Sequence, residues 1–101
     1  MVESRPFSEK QIEESTYERF FSAKTDRSEL HWHIDLEDRL VRALEENDWL
    51  IQLDNDLPRE IGEHELLIPQ GVWHRLIQGT SDLRISVKKL NRNLTSLESE
   101  S

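Results

Sequence analysis

The sequence predicts an all-β domain, and three observations carry that prediction. Apolar residues concentrate between Leu30 and Val87, where all three tryptophans also lie. Within that stretch, short apolar runs are broken by turn chemistry at Glu45-Glu46-Asn47-Asp48, Asp54-Asn55-Asp56, Pro58, Gly62, Pro69 to Gly71 and Gln78-Gly79-Thr80-Ser81. The runs themselves alternate, most strictly in Leu83-Arg84-Ile85-Ser86-Val87, as a strand with one buried face requires. About seven short strands from Tyr17 onward, at hairpin spacing, are the signature of a sandwich or barrel.

Residues 1–16 are polar, and Ser8 to Glu14 is expected to form a short capped helical turn, with Ile12 as its one apolar residue. Tyr17 to Lys24, with Phe20 and Phe21, reads as the first strand. Leu36 to Glu46 (LEDRLVRALEE) is divided. Its apolar residues at 36, 40, 41 and 44 have helical spacing and its composition suits a helix, while its neighbours are strands. Trp49-Leu50-Ile51-Gln52-Leu53 sets apolar odd positions against Gln52 and reads as a strand. Leu66 to Ile68 lacks alternation and suits a strand covered on both sides. After Leu90 the chain is polar, with nothing to pack. The expected organisation is a polar N-terminal segment (1–16), a barrel domain (17–90) and a flexible tail (91–101).

With 101 residues the chain has the size of one domain. A net charge of −8 repels phosphate, so no nucleic-acid partner is expected. The chain has no cysteine, which removes disulfides and thiolate metal sites and fits a reducing compartment. No apolar stretch resembles a signal peptide, and the longest apolar runs, such as Leu66-Leu67-Ile68, are far too short to span a bilayer. The expectation is a cytoplasmic protein with no membrane partner.

The histidines carry the chemistry. His31-Trp32-His33 is followed after three residues by Glu37, and Pro69-Gln70-Gly71-Val72-Trp73 leads into His74. On a strand, residues i and i+2 share a face, so His31 and His33 aim two imidazoles at one point while Trp32 points away. A carboxylate beyond the next turn and a histidine from a distant strand complete a mixed nitrogen and oxygen set, suited to Fe, Mn, Ni, Co or Zn.

Taken together, HWHIDLE and PQGVWH, the latter preceded by the apolar ELLI, resemble the two motifs of the cupin superfamily. The resemblance covers roughly residues 20–88. It implies a double-stranded β-helix, or jelly-roll, barrel that holds a divalent metal on His31, His33, Glu37 and His74. It also makes the segment after Glu37 a strand rather than a helix. A four-residue spacer would put Asp38 in the carboxylate position instead. The family's glycine ahead of the first histidine is missing, the one after the first motif is replaced by LEEND, and Gln78 stands where the second motif often ends in asparagine.

If Glu37 points into the barrel, alternation points Arg39 and Val41 inward too, and an inward arginine suits an anionic substrate. Arg39, Asp38 and Gln78 are accordingly the expected substrate-contacting residues. Asp35 serves a hairpin turn or accepts from a histidine N–H behind the metal. His64, between Glu63 and Glu65, reads as a solvated residue. Trp32 and Trp73 are expected to face away from the metal. Two functions are compatible with this set: a metal-dependent enzyme acting on a small, anionic molecule, or a non-catalytic metal-containing module that binds a small ligand. The resemblance also implies a C2 homodimer, built on the Tyr17–Lys24 strand and the outward tryptophans.

Overall fold

A computed structural model of the chain describes residues 6–90. Eight strands form within them: β1 (Ser8–Glu13), β2 (Thr16–Phe21), β3 (Asp38–Ala43), β4 (Leu50–Leu53), β5 (Arg59–Glu60), β6 (Leu66–Ile68), β7 (His74–Ile77) and β8 (Leu83–Leu90). One 3-10 turn, Arg27–Glu29, is capped by Asp26, whose side chain accepts from the Ser28 N–H. The architecture is all-β, with antiparallel pairing throughout.

The strands make two sheets, ordered β1-β2-β8-β3-β6 and β5-β4-β7. No strand pairing joins the two sheets among the described residues, so the ladders do not close into a barrel. Inward residues of both sheets meet between them. Phe21 from β2, Val41 and Ala43 from β3, and Leu83, Ile85 and Val87 from β8 face Ile51 from β4 and the fully buried Trp49. The Trp49 ring lies 5.6 Å from that of Phe21, and its indole N–H donates to the Ser81 carbonyl at 2.6 Å. The tail from 91 onward lies outside the described residues.

LEDRLVRALEE is a strand across its centre despite its helical composition. β3 sits between β8 and β6, so its backbone groups are satisfied on both edges. The helical turn expected at Ser8 to Glu14 does not form. That segment is β1, which pairs with β2 from Ser8↔Phe20 to Glu13↔Thr16, with an irregularity between Gln11 and Glu13. Its residues are exposed, so backbone pairing and the Arg19–Glu9 ion pair at 2.6 Å hold it rather than burial. Leu66 to Ile68 is covered on one side only. β6 is an edge strand, and Ile68 is buried while Leu67 is 45% exposed.

Candidate metal centre

Strand alternation positions the site. The parity of β3 that buries Val41 and Ala43 also sends Arg39 inward, and the parity of β7 sends His74 and Leu76 inward. The stretch before β3 lies beside β7 through one antiparallel bridge: His33 N–H donates to the His74 carbonyl at 3.0 Å and His74 N–H to the His33 carbonyl at 2.9 Å. Opposed in this way, the two imidazole rings lie edge to face, with centroids 4.2 Å apart. Two residues on, Asp35 repeats the orientation of His33. Its backbone carbonyl is fixed by the N–H of Gly71, which sits at φ 78°, a conformation natural to glycine.

His33, Asp35 and His74 therefore converge. One ligand atom from each lies within 4.8 Å of the others, and Asp35 and His74 are buried. The second ring nitrogens define the tautomers. His33 Nδ1 lies 3.1 Å from the His31 carbonyl and His74 Nδ1 lies 2.9 Å from the Val72 carbonyl. A carbonyl can only accept, so each neutral ring carries its proton on Nδ1 and its lone pair on Nε2. His74 Nε2 stands 3.2 Å from Asp35 Oδ2, yet that oxygen is buried with no hydrogen-bond partner among the described residues. Two such atoms stay this close only when a proton or a metal ion lies between them. This donor set, with both Nδ1–H groups anchored on backbone carbonyls, fits a divalent metal ion.

Arg39 organises the carboxylate. Its guanidinium meets Asp35 Oδ1 at 3.2 Å and Glu37 Oε2 at 2.7 Å. One Asp35 oxygen is thus held by Arg39 while the other turns to the histidines. Burial alone would raise the Asp35 carboxyl, but His74, Arg39 and His33 together hold it below its ordinary value. Burial, reinforced by the nearby His74, lowers His33, although its contact with the His31 carbonyl pulls the other way. Both shifts favour the forms that ligate metal, an ionised carboxylate and a neutral imidazole.

Of the residues expected as ligands, the structure brings His33 and His74 together. His31 lines the same pocket but lies outside the cluster. Glu37 also lies outside it, engaged by Arg39, and Asp35 is the carboxylate that stands within the cluster. Among the expected substrate residues, Arg39 lines the pocket. Asp38 is buried and accepts from the Gln70 N–H at 2.7 Å. Gln78 donates to the carbonyls of Ala23 and Thr25 at 2.9 and 2.7 Å, tying down the loop after β2. His64 is a solvated side chain, 95% exposed.

The triad lines a pocket of about 280 Å³ between the two sheets, whose remaining wall is largely apolar. On the outer face, Trp32 and Trp73 are partly exposed, and the Arg75 guanidinium covers the Trp32 ring at 4.8 Å. No helix among the described residues is long and apolar enough to cross a membrane.

No protein-family model matches the chain, and no curated protein matches it. Among solved structures, protein NMB1881 from Neisseria meningitidis is similar, with a TM-score of 0.58 at 13% identity over 90% of this chain and 89% of that one. At that identity the likeness is one of fold alone, over nearly the full length of both chains.

Proposed function

We propose that this protein is a divalent-metal protein of the cupin type, acting on a small molecule held in the pocket beside His33, Asp35 and His74. The observation that carries the reading is the convergence of His33, His74 and the buried Asp35, whose Oδ2 lies 3.2 Å from His74 Nε2 with no well-formed hydrogen bond among the described residues. The strand order supports the cupin assignment. If the bridged stretch around His33 is counted beside β7, the strands β2-β8-β3-β6 oppose a second set of four, which is a jelly-roll arrangement.

In this reading His33, His74 and Asp35 are the protein ligands, two histidines and one carboxylate, with His31 beside them. Such a set suits Fe, Mn, Ni, Co or Zn and leaves coordination positions open. The bound ion would supply Lewis-acid polarisation of substrate oxygen. Arg39 holds the Asp35 carboxylate in place and neutralises Glu37, and the apolar wall excludes water. A non-catalytic binding module is the second reading. It is favoured by the engagement of Arg39 with both carboxylates, which takes up the side chain best placed to act on a substrate.

Elemental analysis of protein purified without added metal, followed by thermal unfolding with Fe, Mn, Ni, Co or Zn, tests the proposal. A bound ion and a rise in Tm that His33→Ala and His74→Ala abolish are the expected results. Metal-free protein whose Tm responds to none of these ions refutes it. Both edges of β2 are already paired, so β2 offers no free edge to a C2 partner and the outward Trp32 and Trp73 remain as the proposed contact. Sedimentation at the monomer mass of 12.0 kDa counts against a dimer.

A further inference from the structure

We propose that the pocket takes a compact, mainly apolar molecule that presents two neighbouring oxygens to the His33–Asp35–His74 triad, and that it discriminates against phosphates and dicarboxylates. This rests on the metal reading above and deepens it.

The first observation is the pocket wall. Phe7, Phe21, Val41, Ile51, Ile85 and Val87 line it from both sheets, offering burial and shape but no side-chain hydrogen bonds. At about 280 Å³, and with a water molecule's share of the liquid near 30 Å³, the space holds on the order of ten non-hydrogen atoms.

The second observation is charge. The two guanidinium groups in the lining are already engaged. Arg39 is held by Asp35 and Glu37; Arg19 is held by Glu9 and lies over the Phe7 ring at 4.4 Å. Both arginine side chains are only 15% exposed, so freeing either one would strip a largely buried pair. Glu29, also in the lining, adds negative charge. A phosphate or dicarboxylate bound to the metal carries a second negative charge that meets no unengaged guanidinium in the lining and faces Glu29. A singly charged chelate on the metal has no second charge to satisfy. Three protein ligands leave room for two more donor atoms. A divalent ion beside the Asp35 carboxylate keeps one positive charge, which a singly ionised chelate neutralises.

Co²⁺-loaded protein, titrated with acetylacetone, benzoylacetone, malonate and inorganic phosphate, tests this. The visible spectrum of the bound ion is the readout, and dialysis checks that the metal is retained. Acetylacetone, which chelates as a singly charged enolate and releases one proton to solvent, should bind at least tenfold tighter than malonate, which forms the same six-membered chelate with two charges. Benzoylacetone, with its added ring, should bind tighter still. Val87→Trp, which fills the pocket, should weaken both diketones at least tenfold with Co²⁺ binding unchanged. If that variant does not fold, the comparison of the two diketones on the wild-type protein reports on the same wall. Malonate or phosphate binding as tightly as acetylacetone, or no gain from the ring, overturns the proposal while leaving the metal site standing. Failure to bind Co²⁺, or Co²⁺ binding unchanged in His74→Ala, overturns the metal reading and this proposal with it.

Discussion

Replacing Asp35 with asparagine separates a metal ligand from a structural counter-ion, because the two roles predict different losses with and without metal. In metal-free protein the substitution removes the charge beside Arg39. Breaking a buried pair outright costs about 3–5 kcal/mol when it strands the partner charge. Arg39 is not stranded here, since Glu37 Oε2 stays at 2.7 Å and the asparagine carbonyl can still accept from it. The expected loss is therefore small, about 1 kcal/mol at most, because the asparagine carbonyl keeps Arg39 and its amide can donate to His74 Nε2. With metal present the variant also loses a ligand. A 100-fold weaker site gives up about 2.7 kcal/mol of the stabilisation that saturating metal confers, so the total approaches about 4 kcal/mol. The assay is urea unfolding followed by tryptophan fluorescence, run once in chelator and once in excess Mn²⁺ or Zn²⁺. Acid adds a signed check on the metal-free protein. The folded carboxyl lies below 3.8, so the contribution of its charge is intact above 3.8 and is lost as pH falls through the folded value. Equal losses in chelator and in metal would refute the assignment of Asp35 as a ligand.

Three further outcomes follow from the fold. Trp49→Phe deprives the half-buried Ser81 carbonyl of its donor and leaves space beside Phe21, and should cost about 2–4 kcal/mol in chemical unfolding; a loss under about 0.5 kcal/mol would contradict the role given to the indole. Gly79→Ala would place a Cβ 2.5 Å from the Asp48 carbonyl oxygen, so the backbone must shift; a sharp fall in Tm is expected, and an unchanged Tm would show that the loop yields freely. Asp48 itself accepts from the backbone and hydroxyl groups of Thr80 and Ser81, contacts that hold its carboxyl far below 3.8, with the Thr80 hydroxyl first among them. Its charge therefore stabilises the fold above 3.8 and ceases to do so as the carboxyl is protonated, and Asp48→Asn should flatten the acid limb of the stability–pH curve.

Much of the fold was legible where one face of a strand is buried. Leu83, Ile85 and Val87 alternate in sequence and are buried on β8, with Arg84 and Ser86 between them only partly covered. LEDRLVRALE was not legible from its own residues. Its strand conformation comes from pairing to β6 and β8, partners remote in sequence, and the motif resemblance pointed to it where propensity did not. β1 was misread for the complementary reason: it buries nothing, so no hydrophobic period exists to find, and its pairing to β2 is a backbone matter. At the site, His33 and His74 were visible as histidines at motif spacing. The carboxylate was assigned by the family's spacer, whereas the two-residue step from His31 to His33 continues directly to Asp35. That same-face rule was the available signal, and Arg39 explains why Glu37 is drawn elsewhere.

The bridge between His33 and His74 has a consequence for the chain as a polymer. It consists of two backbone hydrogen bonds, 3.0 and 2.9 Å long, outside the named strands. The residues it joins are about forty positions apart, and the intervening loop contains β3, β4, β5 and β6. Any ion held between the two imidazoles therefore acts as a cross-link across that loop. Unlike a disulfide, such an ion leaves when the chain unfolds, so it stabilises by binding the folded state rather than by restricting the unfolded one. Occupancy of so small a site would then be felt in the cooperativity of both sheets, because strands of each lie within the loop it closes.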